Sequence, residues 1–235
     1  MYKDQTNIIP KKIHYCRFWW NKKPKSLDRY LYSWKKHCSD YEIIEWNESN
    51  FPIDISEYSK KMYDKKKWAF LSDYARFWIL YNFWWIYFDT DVEVIKNFDK
   101  FLSSSCFIWF QDEFSIGWAV IWCTPKHWFT SKVLEQYNHR KNKIVLPYLL
   151  TPILKRIWLK YGTSLIENDI MVYSKEYFYP FAFYENFNSN CVKENTYSIH
   201  WYDSTWLPKV ITKILFPIVK IFYIIWRKFI KTKIN

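Results

Sequence analysis

The sequence has very little glycine. Its 235 residues include only two, Gly117 and Gly162, whereas average usage would give roughly 16. Glycine takes positive φ angles without steric cost, so this chain lacks the usual means of making tight turns and ending helices. Tryptophan is present in 16 copies, a surplus of similar size. The matching sizes suggest that tryptophan stands where glycine is expected.

The sequence also lacks paired cysteine motifs. Its five cysteines are odd in number and scattered, and none belongs to a CxxC pair. We therefore expect neither a zinc knuckle nor a disulfide framework, and the pattern favours a reducing compartment. Residues 1–12 are polar and rich in lysine, so no signal peptide is expected. Together these features predict a cytoplasmic protein.

Acidic residues are fewer than basic ones. The chain has 35 lysines and arginines against 23 acids, for a net charge of +12. Such a charge favours anionic partners, whether nucleotides, phosphates, nucleic acid or acidic lipid. Half of the residues are hydrophobic and a quarter are charged. That composition excludes a disordered chain and suits one domain with a sizeable core.

Strand-like and helix-like segments alternate along residues 1–206. Strands are predicted at 11–18, 41–47, 85–95, 106–113, 118–124, 170–180 and 195–202, and helices at 26–38, 56–83, 130–140 and 150–162. Ser26 is the expected N-cap of the first helix, and Gly162 the expected end of the last. The alternation predicts an α/β domain that binds ligands at the carboxyl ends of its strands.

Residues 207–235 form a tail of different composition, with six lysines, one arginine and no acid. Its apolar run from Ile214 to Trp226 is interrupted by Lys220 and contains Pro217. The run is too short for a membrane span, which needs about 20 apolar residues. A basic amphipathic helix lying on an anionic membrane surface, at the inner face of the cell membrane, is favoured over a helix packed on the domain.

Two carboxylates, Asp89 and Asp91, lie at or just past the end of the predicted strand 85–95. Side chains alternate along a strand, so both are expected on the same side. Carboxylates this close repel each other unless a cation lies between them, and hard divalent ions prefer such oxygen ligands. Asp73 and Arg76, three residues apart on a predicted helix, either form a plain salt bridge or orient sugar hydroxyls near this pair.

Four segments resemble a known family. They are "IPKKIHYCRFWW", "SWKKHCSDYEIIEWNESNF", "KKWAFLSDYARFWILYNFWWIYFDTDVEV" and "NTYSIHWYDSTW". In this order they resemble the bacterial DXD-containing glycosyltransferases of family 32, of the capsular polysaccharide type. These are similar to yeast mannosyltransferases and to the glucosyltransferase domains of large clostridial toxins. The resemblance covers about residues 8–206.

The resemblance implies a GT-A fold, a Rossmann-like domain for a nucleotide-diphosphate sugar, with a metal ion that is usually Mn²⁺ or Mg²⁺. It implies retaining transfer of a hexose from a UDP- or GDP-sugar to a glycan or lipid-linked acceptor in surface polysaccharide synthesis. Asp91 would then coordinate the metal, and Asp89 would bind the ribose and metal-bound water. Asp73 and Arg76 would hold hydroxyls of the donor sugar.

The last matching segment supplies three further candidates. The resemblance makes His200 a ligand of the metal or the diphosphate, since neutral imidazole suits a divalent transition metal. A buried structural histidine is the alternative. Ser204 and Trp206 match a Ser-x-Trp motif near the diphosphate, where the indole N–H can donate to the leaving phosphate oxygen. Core packing is the alternative for Trp206.

The first strand, with Tyr15 and Arg17, would bind the nucleotide. Relatives tend to have tryptophan at the position of Arg17, where it can stack on the base. A guanidinium plane can stack in the same way. Nucleotide binding is therefore still expected at this strand.

The surplus tryptophans are concentrated where the family motifs have glycine. These positions are Trp19, Trp20, Trp84, Trp85 and Trp122, with Trp109 as a further case. Our hypothesis is that a codon read as glycine in the source, a reassigned UGA, is translated here as tryptophan. Tryptophan in glycine-type turns predicts poor folding of the literal sequence. UGG codons at Trp19, Trp20, Trp84, Trp85 and Trp122 would exclude the hypothesis.

Two other classes of function compete with the enzyme. The charge of +12 and 23% aromatic residues are compatible with a nucleic-acid-binding protein. The acidic pair argues against it, and no RRM or KH motif is present, so nucleic acid is an improbable partner. A catalytically inactive sugar-binding relative is the third class.

Overall fold

The computed structural model describes residues 11–18, 23–112, 115–138, 146–155, 165–167, 169–203 and 217–225. Its helices and strands are β1 (Lys12–Cys16), α1 (Lys25–His37), β2 (Glu42–Trp46), α2 (Glu57–Asp64), α3 (Trp68–Asn82), β3 (Trp85–Phe88), β4 (Val92–Val94), β5 (Cys106–Trp109), β6 (Val120–Cys123), α4 (Trp128–Asn138), α5 (Leu146–Lys155), β7 (Leu165–Glu167), β8 (Ile170–Tyr173) and β9 (Ser198–His200). Residues 217–225 are also helical, and we call them the tail helix.

Seven strands form one sheet in the order β2-β1-β3-β6-β5-β8-β7, and β4 pairs with β9 in a small second sheet. Strands β2, β1 and β3 run parallel, whereas β6 runs antiparallel to both β3 and β5. Residues that follow β1 and β3 therefore leave at the same edge of the sheet. The predicted α/β class is confirmed.

The core is built largely from aromatic side chains. Helix α1 shows how the sequence achieves this, since Leu27, Tyr30 and Trp34 recur at helical spacing and are all buried. Trp34 also packs edge-on against Phe88 of β3, with ring centroids 5.3 Å apart. This contact packs α1 against the carboxyl end of β3.

Several element boundaries differ from the prediction. The strand expected at 85–95 is divided into β3 and β4, because the chain turns between them. Helix α1 begins one residue before Ser26, with Pro24 at the N-cap position, so the expected serine cap is wrong. Strand β7 was not predicted. Gly162 and most of the tail lie outside the described residues.

The structure joins Cys106 and Cys123 in a disulfide, which corrects the expectation of unpaired thiols. The two residues are directly opposite each other on the antiparallel strands β5 and β6. Their separation of 17 residues gives no hint of this, because cross-strand register depends on the fold. Cys16, Cys38 and Cys191 are unpaired.

Two of the suspect tryptophans fit poorly where they stand. Trp85 has a φ of 148°, a backbone conformation that favours glycine. The indole nitrogens of Trp85 and Trp109 are buried without a hydrogen-bond partner in the described part of the chain. The Trp109 ring lies so close to Gly117 that no Cβ could be added there. By contrast, Trp122 donates to Ser104 O at 2.7 Å.

Within the described ranges, none of the helices combines the length and the apolar character that crossing a bilayer requires.

Candidate metal and nucleotide-sugar site

Strand β3 delivers Asp89 to the carboxyl edge of the sheet. The Asp89 N–H donates to Ala119 O at 2.7 Å, and the Val92 N–H donates back to Asp89 O at 3.2 Å. The second bond closes a turn, so Asp89 and Asp91 do not lie on one extended strand as predicted. They nevertheless face a common site because the turn carries both carboxylates to the same edge.

Helix α3 places Arg76 against Asp89. The Arg76 guanidinium is 3% exposed and contacts both Asp89 oxygens, at 3.1 and 3.0 Å. It also donates to Asp73 Oδ1 at 2.8 Å and to Trp118 O at 2.8 Å. The predicted i,i+3 pair is thus present, but Arg76 extends it into a bridge between two carboxylates.

Strand β9 brings His200 to Asp91 from the far end of the sequence. Pairing of β4 with β9 sets Val92 opposite His200, and the Trp201 N–H donates to Asp91 O at 3.0 Å. His200 is 6% exposed, and its Nε2 lies 3.0 Å from Asp91 Oδ1. Its Nδ1 is buried with no partner among the described residues.

Sequence reasoning missed two groups at Asp91. The backbone N–H of Asp203 donates to Asp91 Oδ2 at 3.0 Å, and the Asp203 carboxylate accepts from the Tyr30 hydroxyl at 2.8 Å. A backbone donor leaves no residue-type signal in a sequence. Tyr30 lies within the predicted helix 26–38, but its hydrogen bond to Asp203 depends on long-range packing.

The carboxylates of the site differ in their electrostatics. Burial raises the pKa of Asp73 to about 7, against the opposing effect of Arg76. Burial and the neighbouring Asp91 raise the pKa of Asp89, with Arg76 and His200 opposing them. Burial also acts on Asp91, but His200 and the hydrogen bonds it accepts hold the pKa of that carboxyl below its ordinary value. Asp91 is therefore the group most strongly held in its anionic form.

The residues present fit a divalent cation. Oxygen atoms of Asp89 and Asp91 and a nitrogen of His200 all lie within 4.8 Å of one another. Two carboxylates and an imidazole form a donor set that suits Mn²⁺ or Mg²⁺, with nitrogen favouring the transition metal. The buried Nδ1 of His200 has no partner in the described part of the chain, so those residues do not fully satisfy this ring.

The predicted nucleotide residues lie along β1, at the same edge. Tyr15 donates to Glu45 Oε2 at 2.5 Å, and Arg17 contacts Glu45 Oε1 at 2.8 Å. Burial raises the pKa of Glu45, but hydrogen bonds from Arg17, Tyr15 and Asn47 outweigh it and hold that pKa below its ordinary value. Glu45 was missed, although its place on β2 beside Tyr15 follows from the parallel register.

Ser204 and Trp206, the remaining predicted site residues, lie outside the described residues. Their roles stay predictions.

Comparison with known proteins agrees with this geometry. Residues 24–108 match the family described as the glycosyltransferase sugar-binding region containing DXD motif, a range that includes Asp73, Arg76, Asp89 and Asp91. This part of the chain is similar to the DXD-containing glycosyltransferases. His200, Trp201 and Asp203, which contact Asp91, all lie beyond the matched range.

One curated relative is inositol phosphoceramide mannosyltransferase 1 of Schizosaccharomyces pombe. It is 31% identical over 107 residues, which cover 43% of this chain. The matched segment spans 32% of that relative's length.

The fold is similar to that of a solved structure, the PaToxG glycosyltransferase, with a TM-score of 0.50 and 17% identity. The alignment covers 63% of this chain and 69% of that one. At this identity the likeness shows the fold, which is the mixed α/β architecture of GT-A glycosyltransferases.

Proposed function

We propose that this chain is a metal-dependent, retaining hexosyltransferase. It would move a hexose from a UDP- or GDP-sugar to a glycan or lipid-linked acceptor in surface polysaccharide synthesis. The observation that carries the proposal is the cluster of Asp89, Asp91 and His200 at the carboxyl end of β3, beside the Asp73–Arg76 pair. The match of residues 24–108 to the sugar-binding region containing the DXD motif and the similarity of the fold to a glycosyltransferase support it.

Asp91 and His200, with Asp89, would hold the metal ion. When bound, Mn²⁺ or Mg²⁺ supplies positive charge for the diphosphate of the donor and stabilises the leaving group. Arg76 has a separate task. Its guanidinium is spread over Asp73, Asp89 and the Trp118 carbonyl, so it fixes the orientation of both carboxylates.

The sugar and nucleotide would be held by polar side chains around the cluster. Asp73 is 16% exposed, and its carboxylate can accept hydrogen bonds from sugar hydroxyls, beside Arg76. Asp89 would face the ribose. Tyr15 and Arg17, oriented by Glu45, would contact the base.

Bond cleavage at the anomeric carbon places negative charge on the leaving phosphate. Hydrogen-bond donors aimed at that oxygen lower the barrier, and Ser204 and Trp206 are the proposed donors. Retention follows if the acceptor hydroxyl attacks from the face that the phosphate leaves, with the phosphate oxygen taking the hydroxyl proton. The described residues near the anomeric site offer no candidate that we assign as a covalent nucleophile.

The test is a panel of UDP- and GDP-sugars incubated with the full chain and Mn²⁺, Mg²⁺ or EDTA. We expect hydrolysis or transfer with one donor, dependent on the metal and abolished by EDTA. The anomeric configuration of a transferred sugar, read by NMR, tests retention separately.

Two outcomes would contradict the proposal. Turnover that is unchanged in EDTA would exclude metal dependence. Binding of a nucleotide sugar without turnover of any donor would favour the inactive sugar-binding relative.

A further inference from the structure

The tail helix presents an apolar stripe to solvent. Ile218, Ile221, Phe222 and Ile225 recur at positions i, i+3, i+4 and i+7, the spacing of one helical face. Their exposed fractions are 48, 57, 70 and 60%. Contiguous exposed apolar side chains of this kind mark a surface that binds something.

The opposite side of the same helix is held by polar and aromatic contacts. The Tyr223 hydroxyl donates to Asp112 Oδ2 at 2.6 Å. Its ring packs against Phe183 and Tyr184, with centroids 4.9 and 5.2 Å away. Lys220, one helical turn before Tyr223, is half-buried. The helix thus turns its apolar stripe outward, the reverse of a helix packed on a water-soluble domain.

The composition of residues 207–235 selects the partner of the stripe. Residues 207–235 contain six lysines, one arginine and no acid, in a chain of net charge +12. A second copy of this chain would bring like charges together, which opposes association. Anionic lipid headgroups complement the cations, and the acyl boundary beneath them accepts the apolar stripe.

We propose that the tail helix docks on the surface of an anionic lipid bilayer and inserts Ile218, Ile221, Phe222 and Ile225 into it. The positive charge of residues 207–235 attracts the headgroups. The helix lies in the plane of the membrane and does not cross it.

The docked helix is close to the metal cluster. Tyr223 contacts Phe183, Phe183 contacts Tyr202 with centroids 6.4 Å apart, and Tyr202 contacts His200 at 4.1 Å. Two aromatic rings, those of Phe183 and Tyr202, therefore separate the Tyr223 ring of the tail helix from His200. This arrangement suits a lipid-linked acceptor better than a free glycan, a step that rests on the proposed function.

The test is co-sedimentation of the full chain with vesicles of phosphatidylcholine alone or with 30% phosphatidylglycerol. We expect binding to the anionic vesicles only, weakened by added salt. The double variant Phe222→Ser/Ile225→Ser should lose binding by at least about tenfold, because two large apolar side chains no longer leave water on docking. Tyr32→Ser is the matched control, since Tyr32 is 68% exposed on α1, and it should bind like the parent chain.

Three results would overturn the proposal. They are equal binding to neutral vesicles, unchanged binding of the double variant, and absence of vesicle binding from a chain that light scattering shows to be dimeric. Thermal melting of each variant establishes that it is folded, and the substituted side chains are exposed. Asp91→Asn should bind vesicles normally while losing turnover, so failure of membrane docking and failure of the proposed function are distinguishable.

Discussion

The two ends of strand β3 differ in how well their polar groups and backbone conformation are satisfied. At the carboxyl end, Asp89 and Asp91 accept from Arg76, His200 and the Asp203 N–H. At the amino end, Trp85 has a φ of 148° and a buried indole nitrogen without a partner in the described ranges, and Trp84 is 41% exposed.

The comparison shows that the strained residue of β3, Trp85, lies at the end of the strand away from the candidate site. Violations of local rules are expected at functional sites, where the surrounding structure compensates for them. Here the functional end satisfies its charged groups, and the violation lies at the far end. Trp85 gains only a stack on His14 at 4.5 Å and a contact from Lys12 at 4.3 Å. This pattern supports the hypothesis that glycine is the native residue at 85.

The largest expected effect comes from the tryptophan that supports the carboxyl end. Trp34 is fully buried, donates to Val92 O at 2.8 Å and packs on Phe88. Trp34→Ala should lower the free energy of unfolding by about 3–5 kcal/mol, because it opens a cavity and removes a buried donor. Denaturant unfolding measures this. Tyr32→Ala, on the exposed side of the same helix, should stay within about 0.5 kcal/mol of the parent.

The next effect is on turnover. Asp91→Asn removes the charge that would bind the cation while keeping the shape of the side chain. Changes to groups that merely support a metal ligand cost about 10–100-fold, so loss of a ligand should cost more than about 100-fold. Metal-dependent hydrolysis of the donor measures it, with Mn²⁺ titration calorimetry as an independent readout. Asp64→Asn, an exposed carboxylate at the end of α2, is the control, and equal loss in both variants would remove Asp91 from the site.

A substitution at the amino end of β3 should stabilise the protein instead of destabilising it. Trp85→Gly should raise the free energy of unfolding by about 1 kcal/mol, because it relieves the positive φ and removes the unpaired donor. Trp85→Ala removes the same ring but keeps a Cβ at that φ, so it should gain less. A chain destabilised more by glycine than by alanine would show that the strain at 85 is not conformational. The codon at this position in the gene tests the same point directly.

The smallest effect is a pH dependence at the neighbouring strands. The pKa of Glu45 is lower in the folded chain than its ordinary value. Its stabilising contribution is therefore present above pH 4.5 and is lost as the pH falls through the folded pKa. Glu45→Gln should show a smaller loss of stability between pH 5 and 3, by less than about 1 kcal/mol since the pair is partly exposed. Identical acid denaturation profiles would contradict a role for this carboxylate.

Patterns in the sequence were sufficient for features that depend on nearby residues. The strand ending at Asp89 and the Asp73–Arg76 pair follow from apolar runs and helical spacing. The turn between β3 and β4, closed by the bond from Val92 N–H to Asp89 O, was not predicted, because apolar residues continue on both sides of it. The placement of His200 came from resemblance alone. Glu45, Tyr30 and the Asp203 N–H were missed because cross-strand and long-range contacts bring them in.

Pairing of β4 with β9 has a consequence for synthesis of the protein. Asp91 and its backbone donor Asp203 are 112 residues apart, so the loop that this contact closes is among the longest in the domain. Closing a loop of this length is slow compared with forming a helix or a hairpin. On a ribosome, the sheet around β1 and β3 can assemble while residue 203 is still inside the exit tunnel. The nascent chain would therefore acquire the shape of the sheet before the candidate cation site is complete.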